Sequence, residues 1–152
     1  MLSLQDKYAP QNQCFGCGPK NDKGLRIKSF VEGNEVVATW TPEPHHMAFD
    51  QILNGGICGA LLDCHSNWTA AYNLMLKREE STPPCTVTAE YAIQLLRPTP
   101  MNVPLKLRAY IVECSDRKAL VDAMIEANGE ITATCRGTFV AVKEGHPAYH
   151  RW

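Results

Sequence analysis

Residues 54–63 combine residue types that could act on a bound ligand. Asn54-Gly55-Gly56 precedes a run whose apolar residues recur at spacings of three and four, which predicts a helix beginning near Gly55. The first N–H groups of a helix lack partners within it, so those of Gly55 and Gly56 could donate to a ligand oxygen. Asp63 lies among apolar neighbours, where an unpaired carboxylate is costly unless something satisfies or uses it. This stretch therefore predicts a polar site on an apolar helix.

Asp63 and Asn54 each allow a structural and a functional interpretation. Asp63 could be a satisfied helix residue, or one that the helix turn carries to solvent, but its apolar setting favours a functional carboxylate. Asn54 could be a helix N-cap whose side chain closes on the amides of the next turn. It could also donate its amide to a ligand, and a cap that faces a ligand could do both.

Cys14 and Cys17 form a second candidate site within a turn-rich stretch, Cys14-Phe15-Gly16-Cys17-Gly18. Two cysteines at this spacing supply half of a zinc site, but no second pair follows at ribbon or knuckle spacing. No thioredoxin-like βαβ pattern surrounds them, which disfavours redox chemistry. We expect a metal-free, reduced turn whose cysteines and Phe15 pack on the sheet.

The adjacent histidines His45 and His46 invite a metal interpretation as well. Neighbouring residues of an extended loop point in different directions, so the two rings are not expected to share one ion. We interpret them as polar loop residues, one of which could line the mouth of the site. The sequence thus predicts neither a metal ion nor another cofactor.

The elements that must position these residues follow from periodicity. The helix predicted from Gly55 to about Lys77 is apolar on most faces, which indicates that other elements wrap around it. Alternation and turn residues predict strands at 25–30, 36–40, 86–96, 105–114, 119–127 and 131–142. This order predicts an α+β fold in which a curved antiparallel β-sheet wraps around one long central α-helix.

Length and composition limit the remaining possibilities. A chain of 152 residues predicts a single domain, with an N-terminal extension over 1–13 and a C-terminal tail over 144–152. The 15 basic and 16 acidic residues include no basic block, so nucleic acid is not an expected partner. No membrane span or secretion signal is evident, and a cytoplasmic location is expected. Seven cysteines, an odd number, do not predict a disulfide framework.

Several short motifs within residues 14–143 resemble the hot-dog-fold thioesterases, in particular the branch of phenylacetate-pathway-type acyl-coenzyme A thioesterases. The motifs are Cys14–Gly18 followed by Gly24-Leu25, Asn54-Gly55-Gly56 with Asp63 after it, Leu96-Arg97-Pro98, and Arg136–Val140. Each motif is weak alone, but their order is fairly specific. The family usually has a histidine at the position of Asn54 and often an acidic residue at that of Cys64.

The resemblance implies a hot-dog fold and hydrolysis of an acyl-coenzyme A thioester at a site shared across a homodimer, or within a dimer of dimers. Asp63 would be the base or nucleophile, Gly56 would supply the oxyanion amide, and Asn54 would polarise the carbonyl. Thr88 would hold the attacking water. The residues expected to contact substrate are Gly55, Thr88, Arg136 and Thr138.

Two other functions are compatible with such a fold. A non-catalytic member could bind acyl-coenzyme A or a small aromatic ligand, having lost the usual histidine. A hydratase or dehydratase would need an Asp and His pair acting on the carbon chain, and no such pair stands out. The acyl group accepted would depend on how three side chains, Trp68, Tyr72 and Met75, pack with the loop around Phe49.

Overall fold

The predicted central helix runs from Gly55 to Lys77 and is designated α2. The computed structural model describes residues 1–152. Asn54 is the N-cap of α2, and its Oδ1 accepts a hydrogen bond from the N–H of Ile57. The boundaries of this helix therefore agree with those predicted from periodicity and from the capping residue.

Ten further elements surround α2, and six of the strands form one antiparallel sheet. In chain order they are α1 (Leu4–Tyr8), β1 (Phe30–Glu32), β2 (Glu35–Trp40), a 3₁₀ turn (Pro44–His46), β3 (Met47–Phe49), β4 (Ile52–Leu53), β5 (Thr86–Leu95), β6 (Leu105–Cys114), β7 (Lys118–Ala127) and β8 (Glu130–Ala141). The sheet has the order β1-β2-β6-β7-β8-β5, and β3 pairs with β4. The predicted α+β fold is confirmed. Neither helix combines the length and hydropathy needed to cross a membrane.

A cluster of 28 buried apolar residues lies largely between α2 and the sheet. Leu61 and Trp68 of α2 and Leu107 and Phe139 of the sheet have no exposed surface. Full burial of each such side chain contributes on the order of 2 kcal/mol. The sheet therefore wraps α2, as its apolar circumference predicted.

One edge of the sheet remains apolar and uncovered. β5 is the last strand in the sheet order and pairs with β8 alone. Tyr91, Leu95 and Leu96 are 48%, 58% and 52% exposed. An unpaired strand edge with apolar side chains is a surface that proteins usually cover.

The predicted strand at 25–30 is wrong over most of its length, because β1 begins only at Phe30. The N–H groups of Leu25 and Ile27 donate instead to the carbonyl oxygens of Phe15 and Gly16, at 2.7 and 3.1 Å. This segment thus pairs with the cysteine-containing loop and not with β2. Backbone groups must find partners, and here the N-terminal loop supplies them.

Candidate active site

One stripe in the N-terminal half of α2 faces β5. Residues four apart on the helix lie against residues progressively nearer the start of the strand, in the pairs Gly55 and Leu95, Gly59 and Ile93, Asp63 and Thr88, and Asn67 and Thr86. We call Gly55, Gly59, Asp63 and Asn67 the β5-facing stripe. A spacing of four residues keeps side chains on one helix face, so Asp63 lies in line with the glycines at the helix start.

The glycines of the stripe allow close packing against β5. A Cβ atom at Gly55 would lie 2.9 Å from Leu95 Cδ1, and one at Gly59 would lie 3.3 Å from Ile93 Cδ1. A larger residue at either position would require the leucine or isoleucine side chain to shift. Gly56 has a different neighbour, because its Cβ would lie 2.9 Å from Oδ1 of Asn54. Glycine at that position leaves room for the capping side chain.

Asp63 is half-buried, and one of its two carboxylate oxygens has a partner. The hydroxyl of Thr88 donates to Oδ1 at 2.7 Å, whereas no protein group donates to Oδ2. Burial raises the pKa of Asp63, and the Thr88 hydroxyl and the Arg151 guanidinium oppose that shift. The side chain therefore keeps acceptor capacity for a water or a ligand.

The start of α2 offers unused hydrogen-bond donors. The N–H groups of Gly55 and Gly56 have no acceptor within the chain. Oδ1 of Asn54 lies 3.1 Å from the N–H of Ile57, while Nδ2 has no partner. Asn54 thus caps the helix through its oxygen and keeps a free NH₂ group, so it could cap the helix and also donate to a ligand. The helix dipole adds partial positive charge here.

The amide of Gly56 and the carboxylate of Asp63 cannot meet one thioester within a single chain. Seven residues separate them on one helix, which corresponds to about 10 Å along its axis. The same carbonyl cannot lie within hydrogen-bond distance of both groups. A reaction that uses both groups needs them from two copies of the chain.

A mostly apolar cavity of about 380 Å³ opens beside the helix start. Its lining includes Phe49, Ile52, Gly55, Leu95 and Leu96. Two leucines from the end of β5 therefore join the Phe49 loop. Neither leucine is marked as a lining residue by its sequence pattern, although Leu96 belongs to the Leu96-Arg97-Pro98 motif.

The other residues named for acyl selection lie away from this cavity. Trp68 is fully buried, donates from Nε1 to Cys17 Sγ at 3.4 Å and packs on the ring of Trp152. Met75 is buried near the C-terminal end of α2. Of the expected determinants, the Phe49 loop alone lines the cavity.

Arg136 and Thr138 lie on the face of the sheet that points away from α2. They alternate along β8 with Gly137 and Phe139, and Phe139 is buried in the core against the helix. Arg136 donates from Nε and Nη2 to the two carboxylate oxygens of Asp122 at 2.7 and 2.8 Å. Within one chain the fold does not bring these residues together with Asp63.

The two adjacent histidines are arranged differently from the expectation. They lie on the 3₁₀ turn and not on an extended loop, so their ring centroids are only 4.0 Å apart. Nδ1 of His46 accepts a hydrogen bond from the backbone N–H of Glu43 at 2.9 Å. Neither ring lines the cavity beside Gly55.

The cysteine turn has a third thiol beside it. The sulfur atoms of Cys14, Cys17 and Cys64 all lie within 4.8 Å of one another. Phe15 is 53% exposed, so the expectation that it packs on the sheet is wrong, whereas Cys17 is buried. Hydrogen bonds with the other two thiols lower the pKa of Cys14, whereas the bond with Cys14, together with burial, raises the pKa of Cys17 to about 12. Cys64 lies 50 residues beyond Cys14, too distant for a spacing motif to reveal it.

No protein-family model and no curated protein sequence matches the chain. A solved thioesterase superfamily protein from Shewanella loihica PV-4 is 29% identical, over 91% of this chain and 99% of that one, with a TM-score of 0.71. PaaI from the phenylacetic acid degradation operon of E. coli is 20% identical, over 82% and 88% of the chains, with a TM-score of 0.68. A phenylacetic acid degradation-related protein from Ralstonia eutropha JMP134 is 17% identical, over 77% and 86%, with a TM-score of 0.64.

The first of these likenesses spans nearly the whole of both chains, and all three share the long helix and its enclosing sheet. The resemblance predicted from the sequence motifs is therefore confirmed. The chain has the hot-dog fold and resembles the thioesterase superfamily, which supports a thioester hydrolase or a related function.

Proposed function

We propose that the protein hydrolyses an acyl-coenzyme A thioester, with Asp63 as its general base or nucleophile. The observation that carries this proposal is the half-buried carboxylate, bound on one oxygen by Thr88 and open on the other, within a stripe that leads to the free N–H groups of α2. A carboxylate with these properties is unusual unless it is used.

In the general-base form of the reaction, Oδ2 of Asp63 accepts a proton from a water molecule while the water oxygen attacks the thioester carbonyl. Negative charge develops on the carbonyl oxygen and is stabilised by the N–H of Gly56 and the amide of Asn54. Collapse of the intermediate breaks the C–S bond, and the proton returns to the departing sulfur. The products are a free acid and coenzyme A.

The proposed site is built from two copies of the chain, because Gly56 and Asp63 of one helix are about 10 Å apart along its axis. The exposed apolar edge of β5 is the surface we propose for this pairing, since Tyr91 and Leu95 lie beside the stripe that carries Asp63. We expect light scattering to detect a dimer, or a dimer of dimers, and no monomer at micromolar concentration. A stable monomer that kept full activity would contradict this arrangement.

The cavity beside Gly55 is proposed to hold the acyl group. It is mostly apolar and opens next to the oxyanion donors, so an acyl chain in it would place its carbonyl near Gly56. Arg136 and Thr138 remain candidate contacts only for a part of the ligand, or for a partner subunit, that reaches the outer face of the sheet. In the free chain Arg136 is engaged by Asp122.

A panel of aliphatic and aromatic acyl-coenzyme A thioesters, with release of free thiol as the measurement, tests the proposal. The wild-type protein should cleave at least one member, and the Asp63→Asn variant should cleave none at a comparable rate. Asp116→Asn is a matched control, because it changes an exposed carboxylate in the turn between β6 and β7.

Asn54 gives a specific reason to keep one alternative. An amide can polarise a carbonyl but cannot transfer a proton near neutral pH. If the wild-type protein binds acyl-coenzyme A and cleaves no member of the panel, a ligand-binding protein without catalysis replaces the proposed hydrolase.

A further inference from the structure

Three thiols from two distant parts of the chain meet beside α2. Cys14 and Cys17 come from the N-terminal loop and Cys64 from the helix, and their sulfur atoms all lie within 4.8 Å of one another. Cys14 Sγ and Cys64 Sγ are 3.7 Å apart. Tetrahedral zinc with Zn–S bonds of about 2.3 Å requires sulfur atoms about 3.8 Å apart. Cys14 and Cys64 therefore already have the spacing that such an ion imposes, and Cys17 lies within about 1 Å of it.

The loop holds Cys14 and Cys17 in a closed turn. The N–H of Gly18 donates to the carbonyl oxygen of Cys14 at 2.8 Å and closes the turn. The carbonyl oxygens of Phe15 and Gly16, between the two cysteines, accept hydrogen bonds from the N–H groups of Leu25 and Ile27. The backbone that carries both thiols is therefore held in place before any ion binds.

A second donor supports Cys17 from the core. Trp68 is fully buried, and its Nε1–H donates to Cys17 Sγ at 3.4 Å. This indole hydrogen bond comes from α2 and fixes the orientation of the thiol. The cluster therefore has outer hydrogen bonds of the kind that accompany metal ligands.

Glycine at position 16 is needed for the three thiols to converge. A Cβ atom there would lie 2.3 Å from Cys64 Sγ, closer than any real contact. Cys64 reaches the turn only because this side of the loop has no side chain. Cys14 itself is only partly buried, which leaves a route for an ion to enter.

We propose that Cys14, Cys17 and Cys64 together bind a zinc-class metal ion through three thiolates. The fourth coordination position is left for water or another small ligand, as in sites with three protein ligands. Two cysteines alone gave no reason to expect a metal, and the third thiol changes that expectation. The proposal is independent of the hydrolysis described above, because no step of that reaction uses the cluster.

Cobalt(II) is the probe for the test, because it takes tetrahedral thiolate sites and is coloured. The full-length protein, reduced and freed of metal with a chelator, is titrated anaerobically with Co²⁺ and then with Zn²⁺. We expect one equivalent to give intense tetrahedral bands with sulfur-to-cobalt charge transfer, and Zn²⁺ to abolish them.

Variants then identify the ligands. Cys64→Ser should lower Co²⁺ affinity by about 100-fold or more. Loss of a residue that only hydrogen-bonds to a metal ligand already lowers metal affinity by about 10- to 100-fold, and loss of a ligand should cost at least as much. Gly16→Ala should weaken binding as well, because the added methyl displaces Cys64 Sγ. Cys114→Ser is the matched control, since this partly exposed thiol lies at the end of β6, outside the cluster, and its loss should change nothing.

Circular dichroism measures whether each variant is folded. If Cys64→Ser is unfolded, Cys14→Ser on the N-terminal loop takes its place in the titration. Absence of tetrahedral bands from folded protein with seven titratable thiols would overturn the proposal. So would fewer titratable thiols with no metal bound, which would indicate a Cys14–Cys64 disulfide instead. Unchanged affinity in Cys64→Ser would overturn the three-thiolate site.

Discussion

Two polar side chains of α2, Asp63 and His65, lie two residues apart in the sequence but in different surroundings. Asp63 lies on the side towards β5, where a single hydroxyl donates to one of its two oxygens. His65 lies in the core with no exposed surface, and both of its ring nitrogens have partners. Each side chain is unusual in an apolar helix, so residue type alone does not separate their roles.

The partners of His65 are supplied entirely by the chain. Its Nε2–H donates to the carbonyl oxygen of Val36 at 2.8 Å, so Nδ1 must accept from the hydroxyl of Ser29, also at 2.8 Å. Gln5 completes the network by donating from Nε2 to Ser29 Oγ and accepting the N–H of Ser29 at Oε1. Burial lowers the pKa of His65 to about 4, which keeps the ring neutral.

The two side chains differ in how many of their hydrogen-bond positions the chain fills, and we expect the filled one to serve the fold and the open one to serve the proposed reaction. His65 has no capacity left for a ligand, and its network ties the N-terminal helix to α2 and β2. Asp63 keeps a free oxygen and a raised pKa. Substitution of His65 should therefore lower stability, and substitution of Asp63 should lower the rate of the reaction.

The largest expected effect is on activity. Asp63→Asn keeps the shape of the side chain but removes its ability to accept a proton, so thioester cleavage should fall at least about 10²- to 10³-fold. Dimer formation and ligand binding should be kept. Steady-state thiol release and light scattering measure the two properties, and an unchanged rate in Asp63→Asn would show that this mechanism is incorrect.

The next effect is on stability. His65→Leu fills the space but leaves the Val36 carbonyl and the Ser29 hydroxyl without their buried partner, so the free energy of unfolding should fall by about 2–4 kcal/mol. Urea denaturation of the variant and of wild-type protein gives this value. Retention of more than half the wild-type turnover at a temperature where the variant is folded would support the division of roles. A loss of turnover as large as that of Asp63→Asn would break it.

Much of the fold could be predicted from the sequence because its signals are local. The 3.6-residue period and the Asn54 cap define α2, and Asn128-Gly129, both at positive φ, mark the turn between β7 and β8. The segment at 25–30 was misassigned because alternation shows which residues are apolar but not which backbone pairs with them. Its partner, the loop at 15–16, carries no strand pattern.

The candidate site was predictable only in part, for the same reason. Asp63 and Thr88 were both named, but their 2.7 Å hydrogen bond depends on how α2 lies against β5. The convergence of Cys64 with the cysteine turn depends on tertiary packing and on a glycine at position 16. His65 went unnoticed because its partners Ser29 and Val36 lie far away in the sequence.

A smaller effect tests how Thr88 tunes the base. Asp63 must be ionised to accept a proton, so kcat/KM should fall as the pH is lowered through its pKa, which burial places above the ordinary value of 3.8. The Thr88 hydroxyl opposes that rise, so Thr88→Val should move the acidic limb of the pH profile to higher pH. A profile that moves to lower pH, or does not move, would contradict the assignment of that limb to Asp63.

The smallest effect concerns Asn54, whose two roles can be separated by two substitutions. Serine is as good an N-cap as asparagine, so Asn54→Ser should keep stability, whereas Asn54→Ala should cost about 0.5–2 kcal/mol. Both variants lack the free Nδ2 donor, and both should lose turnover by about tenfold, less than Asp63→Asn, because this donor is exposed and Gly56 still holds the oxyanion. Thermal unfolding and thiol release measure the two quantities in parallel. Full turnover in Asn54→Ser with reduced stability in Asn54→Ala would show that Asn54 only caps the helix, and Gly56 would then be the oxyanion donor without help from its neighbour.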